Sequence, residues 1–274
     1  MIVVRSMLAG RNDSTIPAML GLPEISISVA GFVVRSPSPK AAIEEIHAMG
    51  VRAITLDASA PDFRPRTLTR SARRDLAASL RRRELEFTGL DLWIPPEHFV
   101  DGNNAHRAID AVAQAAEMSA ELAALVGGRS RPVVSVLLPT DMNETDRLAI
   151  GANAQRVGAV IADHQPELFK LEQSGHVAGI AIGVDPALVL MNGNSPGKAV
   201  THAGEHLASV RLNDMNAMGR CTVGAPGGKL DIKGYAGALI VAGQDWITLD
   251  VREMPEPSVA FQLARQAWSD AVSM

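Results

Sequence analysis

The segment SPKAAIEEIHAMGVRAITLD, residues 38–57, contains one helix and one strand in the pattern that the rest of the chain repeats. Ser38 can accept a hydrogen bond from the first helical turn, Pro39 suits the first helical position, and Gly50 suits the helix end. Between them the apolar side chains recur at helical spacing, at Ile43, Ile46 and Met49. The continuous apolar run RAITLD that follows is typical of a strand buried on both faces. The segment therefore predicts a helix that leads directly into a buried parallel strand.

Short β-rich runs alternate with helical segments from about residue 25 to the end of the sequence. The eight predicted strands are SISVAGFVV from residue 26, RAITLD from 52, EFTGLDL from 86, PVVSVLL from 132, AVIAD from 159, GIAIGVD from 179, LASVRLN from 207 and WITLDV from 246. Apolar strands separated by helices indicate a parallel sheet with helices outside, and eight such units predict a closed (β/α)8 TIM barrel. An open doubly wound sheet is the alternative fold, but no Gly-x-Gly-x-x-Gly motif follows the first strand.

The chain is predicted to form one domain. Its 274 residues, of which 47% are hydrophobic, are enough for one large core, and no linker interrupts the series of strands and helices. We expect the barrel to span residues 25–274 and residues 1–24 to form an N-terminal extension. The sequence leaves the oligomeric state open, and a homo-oligomer is among the states that it allows.

Charge and cysteine content narrow the class of partner and the location of the protein. With 26 basic and 30 acidic residues the net charge is −4, so we expect no nucleic-acid partner. The N-terminal apolar stretch is broken by Arg5 and is too short for a transmembrane helix, so we expect no membrane partner. Cys221 is the single cysteine, which allows neither an internal disulfide nor a zinc-binding cysteine cluster and fits a reducing cytoplasm.

Charged residues are concentrated where the predicted strands end. In a (β/α)8 barrel these carboxyl ends form the functional face. The charged and aromatic residues at these ends are Asp57, Asp91, Trp93, Asp163, His164, Asp185, Arg211, Asp214, Asp250 and Arg252. A ring of carboxylates is electrostatically unfavourable unless positive charge compensates it. The sequence therefore predicts a site in which carboxylates surround a positive charge.

Three segments carry a resemblance to a known family: AIEEIHAMGVRAITLDA at residues 42–58, IGVDPALVLMNGNSPGKAV at 182–200, and the stretch from LASVRLND to WITLDV at 207–251. In order and spacing they resemble the xylose isomerase-like barrels, which include sugar isomerases, epimerases, inosose dehydratases and endonuclease IV. The resemblance covers most of the chain after residue 25. It implies a TIM barrel that acts on a small sugar or polyol and moves a proton next to a carbonyl, as an isomerase or epimerase.

The resemblance also implies where the metal ligands of the metal-dependent relatives would fall, at Asp163, Asp185, Arg211 and Asp250. Those relatives carry histidine at the position of Arg211, and a guanidinium stays protonated and cannot coordinate a cation. Leu188 likewise stands where the relatives carry a further histidine. We therefore expect no metal cofactor, with Arg211 paired to the three aspartates in its place. The alternative is Mn²⁺ or Mg²⁺ held by the oxygen atoms of those aspartates.

The predicted roles at this face follow from the resemblance and from side-chain chemistry. Asp163 and Asp250 are the predicted acid and base, and Arg211 is predicted to stabilise the oxyanion. Asp185 is expected to orient Arg211. Substrate contacts are predicted for His164, Asp185, Asp214, Trp93 and Lys229, the last of which lies in the glycine-rich segment GRCTVGAPGGKLD at residues 219–231.

Two other functions remain open at this stage. A barrel that has lost catalysis and serves as a ligand-binding or structural protein is favoured by Arg211 and Leu188, and opposed by the three aspartates. An endonuclease is less favoured because the charge balance is acidic and the family histidines are missing. The sequence therefore leaves open whether the chain is an enzyme.

Overall fold

The computed structural model describes residues 21–128, 131–167 and 177–271, and at its centre is a closed barrel of eight parallel strands. The described residues contain ten strands, eight in the barrel and two outside it. They are β1 (Glu24–Ser28), β2 (Ala53–Asp57), β3 (Glu86–Asp91), β4 (Val133–Val136), β5 (Val160–Asp163), β6 (Ile180–Val184), β7 (Leu207–Leu212), β8 (Asp214–Asn216), β9 (Gly219–Cys221) and β10 (Trp246–Leu249). Strands β8 and β9 form a separate antiparallel hairpin. The other eight follow chain order around the barrel, and β10 closes the ring against β1. The predicted (β/α)8 fold is confirmed.

Helices surround this barrel. In the described residues they are α1 (Ala30–Val33), α2 (Pro39–Ala48), α3 (Arg70–Arg82), α4 (Ala105–Val126), α5 (Glu144–Val157), α6 (Pro186–Met191), α7 (Pro196–Ala203), α8 (Ile232–Val241) and α9 (Pro257–Asp270). Helix α2 begins as predicted, because the Ser38 hydroxyl accepts a hydrogen bond of 3.2 Å from the backbone N–H of Ala41. Gly50 follows its end with a φ of 77°, a conformation that favours glycine.

The first predicted strand is longer than the observed one. The run SISVAGFVV was expected to be extended throughout, but β1 stops at Ser28 and the short helix α1 takes up the rest. Gly31 lies so close to the loop after β10 that a β-carbon there would come within about 2.5 Å of the Val251 carbonyl oxygen. The chain turns here, at the carboxyl ends of the barrel strands, which we call the mouth, and α1 packs directly on the backbone of the loop after β10.

The barrel interior is polar at its centre. The Ser26 hydroxyl lies 2.7 Å from that of Thr88, and the Thr55 hydroxyl lies 3.2 Å from that of Thr248. Each pair joins strands that are not neighbours, β1 with β3 and β2 with β10, so the hydroxyls must point into the barrel. Bulky branched side chains usually fill this space. Here the apolar side chains of the strands instead face the helices, as Ile54 does.

In the described chain the barrel and its helices extend from β1 to α9. Strand β1 begins at Glu24, the last residue of the predicted extension over residues 1–24, and residues 1–20 lie outside the described part of the chain. None of the helices in the described ranges is both long and apolar enough to cross a lipid bilayer.

Candidate functional site at the carboxyl ends of the barrel strands

Arg211 is buried inside the barrel and binds Asp91. Its Nη2 atom donates to Asp91 Oδ1, and its Nη1 atom donates to Asp91 Oδ2 over 3.3 Å. Ser28 donates a further hydrogen bond of 2.6 Å to Asp91 Oδ2. Both members of the pair are fully buried. Two parallel hydrogen bonds between a guanidinium and a carboxylate form a strong and directional ion pair.

The partner of Arg211 is therefore not the expected one. We expected it to pair with Asp163, Asp185 and Asp250, and this prediction is wrong. Strand β7 lies opposite β3 in the closed ring, with three strands between them on each side. Arginine is long enough to span the interior, so the guanidinium of Arg211 meets the carboxylate at the far wall.

Other arginines bind the three remaining aspartates. Arg147, from α5, donates to Asp163 Oδ2 over 2.7 Å. Arg220, from β9, donates to Asp185 over 2.9 Å and to Asp250 over 3.2 Å. All three carboxylates are fully buried, and the arginines are mostly buried. Each of these three carboxylates is thus paired with at least one guanidinium.

Asp185 has a local structural role. It is the N-cap of α6, where its Oδ1 atom accepts hydrogen bonds from the backbone N–H groups of Ala187 and Leu188. The same oxygen accepts a bond of 3.0 Å from the side-chain amide of Asn213. The expectation that Asp185 orients Arg211 is wrong, because its guanidinium partner is Arg220.

Asp250 is held as an anion. Arg252 donates to it through Nε at 2.9 Å and through Nη2 at 2.5 Å, and Arg220 adds a third guanidinium bond. Burial alone would raise the pKa of Asp250, but the charges and hydrogen bonds of Arg252, with Arg220 and Arg211, lower it below its ordinary value. A carboxylate in this setting gives up its charge only at strongly acidic pH, which opposes a role as a proton carrier.

The pKa of Asp163 is shifted in the opposite direction to that of Asp250. Burial raises the pKa of Asp163 above its ordinary value, and the opposing charge of Arg147 only partly offsets this. Its Oδ1 atom accepts backbone hydrogen bonds of 3.1 Å from Leu138 and Gln165. The oxygens of Asp163 are therefore engaged in holding the loop after β4 and the end of β5.

His164 is a site residue in which both polar atoms lack partners in the described part of the chain. It is 1% exposed, and neither ring nitrogen has a hydrogen-bond partner among the described residues. Burial, followed by the positive charges of Arg211 and Arg252, holds the pKa of His164 well below its ordinary value. The ring lies against β6, because a β-carbon at Gly183 would overlap it. His164 is thus a neutral imidazole inside the mouth.

Trp93 lies between the imidazole and two arginines. Its ring meets that of His164 edge to face at a centroid distance of 5.6 Å. The guanidinium carbon of Arg252 lies 3.9 Å from the Trp93 ring centroid, and that of Arg211 lies 5.3 Å from it. These distances are typical of cation–π contacts. The indole N–H of Trp93 is buried and has no acceptor among the described residues.

Asp214 and Lys229, both predicted to contact the substrate, take no part in the pairs of aspartates and arginines among the described residues. Asp214 Oδ1 accepts hydrogen bonds from the backbone N–H groups of Met215, Lys229 and Leu230, at 2.7, 2.9 and 2.8 Å. It therefore fastens the glycine-rich segment to the start of the β8–β9 hairpin. Lys229 itself is exposed to solvent, outside the buried set of aspartates and arginines.

Sequence reasoning missed Arg147 and the pairing of Arg220. Arg147 lies on the second turn of α5, where an arginine is ordinarily solvated, and no strand end marks it. Arg220 lies in the glycine-rich segment, where nothing in the sequence indicates a buried partner. The signal that could have found both is the excess of carboxylates at the strand ends, since four buried acids need several buried cations.

Comparisons with known proteins find relatives only at the level of structure. No protein-family model matches the chain, and no curated protein sequence matches it. The structure of the IolI protein with a bound zinc atom is similar, with 14% identity over 91% of this chain and 98% of that one and a TM-score of 0.68. A xylose isomerase-like TIM barrel protein from Mycobacterium smegmatis in complex with magnesium has 11% identity, 92% and 98% coverage and a TM-score of 0.65.

A third similar structure is D-psicose 3-epimerase in the presence of D-fructose. It has 10% identity over 90% of this chain and 98% of that one, with a TM-score of 0.60. Identities this low establish the fold alone. The chain has the fold of the xylose isomerase-like TIM barrels, as the sequence segments predicted.

The residues present do not fit the divalent metal that two of these structures contain. The oxygens of Asp163, Asp185 and Asp250 already accept guanidinium hydrogen bonds, and a cation would compete with the charges of three buried arginines. Within the described ranges, no three His, Cys, Asp or Glu side chains are arranged to hold a metal ion. These side chains therefore form a network of ion pairs.

Proposed function

We propose that the chain binds a small sugar or polyol at the mouth of the barrel and moves a proton next to its carbonyl without a divalent metal, with His164 as the base. The observation that carries this proposal is the buried, neutral imidazole of His164, whose two ring nitrogens have no partner among the described residues. A buried polar group without a partner is costly and calls for a functional explanation. The structurally similar D-psicose 3-epimerase, whose structure is in the presence of D-fructose, supports the substrate class.

The proposed proton transfer begins with a neutral base. Because the pKa of His164 lies well below its ordinary value, the imidazole is unprotonated at neutral pH and can accept a proton. The C–H bond next to the substrate carbonyl breaks, its proton goes to a ring nitrogen of His164, and its electron pair forms an enediolate. The negative charge that develops on the substrate favours the imidazolium. Return of the proton to the adjacent carbon, with the hydroxyl proton moved from one enediolate oxygen to the other, gives the isomer. An epimer forms only when the original carbon takes a proton from solvent on its opposite face.

The guanidinium groups would stabilise the enediolate. Arg211 Nε is a buried donor without an acceptor among the described residues, and Arg252 lies on the same Trp93 ring that contacts His164. Fixed donors aimed at developing negative charge lower the barrier most effectively in a buried site. We therefore propose that Arg211 stabilises the oxyanion, the role that the sequence predicts for it.

The acid and base roles predicted for Asp163 and Asp250 are not kept. Asp250 is bound by two arginines that lower its pKa, and Asp163 accepts hydrogen bonds from Arg147 and two backbone N–H groups. Their oxygens would have to leave these partners to take up a substrate proton. We propose instead that they hold the arginines of the mouth in place.

The test is solvent exchange on a panel of D-fructose, D-xylulose and 2-keto-myo-inositol in D2O, followed by NMR. Exchange of the hydrogen next to the carbonyl of at least one ketose is expected for the parent protein. His164→Gln should lose the exchange by at least about a hundredfold, since general base catalysis contributes on the order of 10²–10⁴. His47→Gln, at an exposed histidine of α2, is the matched control and should exchange at the parent rate. Full exchange by His164→Gln would contradict the proposal.

A second candidate function is a ligand-binding barrel without catalysis. It is favoured by the pairing of Asp91, Asp163, Asp185 and Asp250 with arginines, which leaves none of these carboxylates free. The same panel distinguishes the two functions, because a binding protein would show heat of binding or thermal stabilisation by a sugar with no deuterium incorporation.

A further inference from the structure

A pocket lies beside the mouth, with Trp93 in its wall. Its volume is about 430 Å³, and it is formed by the loops after β2 and β3 and by the first half of α4. The polar side chains that line it include Arg64, Arg66, Arg107, His98 and Asn104. Trp93 belongs both to this pocket and to the ring contacts of the mouth, so the two sites share a wall.

The pocket is lined by positively charged side chains and by no acidic ones. Three guanidinium groups and an imidazole line it, and none of its lining residues is an aspartate or glutamate. Arg64 donates through Nε to the backbone carbonyl of Ser59 over 2.9 Å. In the part of the chain that the structure describes, Arg64, Arg66 and Arg107 form no salt bridge. The mouth differs, because each of its arginines is paired with an aspartate.

The backbone adds to this positive potential. Asn104 is the N-cap of α4, a helix of 22 residues, and it lines the pocket together with Arg107 from the first turn. The N-terminus of a long helix carries partial positive charge, which favours an anion. At α4 some of the polar groups are already engaged, because Asp101 accepts hydrogen bonds from the backbone N–H groups of residues 103–105 and from the side-chain amide of Asn104. Trp93 also lines the pocket, so its ring separates this positive potential from that of the mouth arginines.

We propose that this pocket binds the anionic group of a small ligand, a phosphate or a carboxylate. Guanidinium groups match the geometry of both oxyanions and bind them through paired N–H donors. Whether the same ligand also reaches the mouth rests on the proposed function, but the anion site itself does not.

Isothermal titration calorimetry at low ionic strength tests the proposal, with inorganic phosphate in one arm and acetate in the other. Saturable binding of at least one oxyanion is expected, and added salt should weaken it because the site is open to solvent. Preference for phosphate would identify a phosphate site, and preference for acetate would identify a carboxylate site. The double variant Arg66→Gln, Arg107→Gln should weaken binding about tenfold or more, since each lost charged hydrogen bond matters.

Two controls make the result specific. The double variant Arg74→Gln, Arg82→Gln removes the same charge from exposed positions of α3 that do not line the pocket, and it should bind as the parent does. His164→Gln should also keep oxyanion binding, which separates this proposal from that of proton transfer in the mouth. Absence of saturable binding of both oxyanions, or an equal loss in both double variants, would overturn the anion site.

Discussion

Arg211 on β7 crosses the barrel and binds Asp91 on the opposite strand β3, with both side chains fully buried. Ser28 on β1 donates a further hydrogen bond to the Asp91 carboxylate. Three strands that are distant in the sequence are thus tied together inside the barrel. A buried ion pair costs much to desolvate, and removal of one partner leaves the other charge without compensation.

Replacement of Arg211 should therefore destabilise the protein strongly. Arg211→Met leaves the buried carboxylate of Asp91 without its guanidinium, and we expect a loss of about 3–5 kcal/mol in the free energy of unfolding at neutral pH. Lowering the pH should recover part of this loss, because protonation removes the buried charge. Urea unfolding at several pH values measures both effects.

The matched control for that variant removes both charges. Arg211→Met combined with Asp91→Leu leaves no unpaired ion, and its stability should lie close to that of the parent. If Arg211→Met alone were as stable as the parent across the pH range, the guanidinium would not be compensating a buried carboxylate.

His164 should make the stability depend on pH below 6.5. The folded protein keeps the imidazole neutral, whereas the unfolded chain protonates it near its ordinary pKa, so the unfolded state binds more protons and stability falls as the pH falls. One such proton contributes up to about 1.4 kcal/mol per pH unit. His164→Phe should lose this contribution between pH 6.5 and 5, in urea titrations compared with the parent. His47→Phe, at an exposed position, should keep it.

Much of the fold could be predicted because its signals are local. The cap at Ser38, the glycine at position 50 and the apolar run of β2 each act within a few residues. Repetition of that unit then predicted a closed barrel. The early end of β1 could not be predicted, because it depends on the contact of Gly31 with Val251, more than two hundred positions away in the sequence.

The sequence predicted which aspartates form the candidate site, but it did not predict which arginine binds each of them. The strand ends identified the buried aspartates, since barrel geometry fixes which end of a strand carries the site. Which arginine meets which aspartate depends on barrel closure, which places β7 opposite β3, and on the positions of α5 and the β8–β9 hairpin. No periodicity in the sequence encodes these distances.

Gly183 should be coupled to His164 in stability. A β-carbon at position 183 would overlap the imidazole, so Gly183→Ala should cost about 1–3 kcal/mol through overpacking. In a His164→Ala background the space is vacant, and the same substitution should cost much less. Gly237→Ala is the control, because this glycine of α8 has open space around it and alanine favours a helix. Equal costs of Gly183→Ala in both backgrounds would place the imidazole elsewhere.

Divalent metals should not stabilise the protein through the aspartates of the mouth. A ligand at about 100 times its dissociation constant adds about 2.7 kcal/mol to the free energy of unfolding, which a thermal melt detects. Because Arg220 and Arg252 already occupy the carboxylates, Mn²⁺, Zn²⁺ and Mg²⁺ should leave the melting temperature of chelator-treated protein unchanged. An increase that Asp185→Asn abolishes would mean that a metal displaces Arg220.

The network of arginines and aspartates also constrains how this site can evolve. Arg211→His alone would place a possible nitrogen ligand on β7, but it would leave Asp91 buried and unpaired while Arg220 still bridged Asp185 and Asp250. At about 3–5 kcal/mol, such an intermediate would lose much of the 5–15 kcal/mol that a typical domain has. The substitutions are therefore epistatic and must change together. In an alignment of close homologues, Arg211 and Asp91 should be retained or lost as a pair.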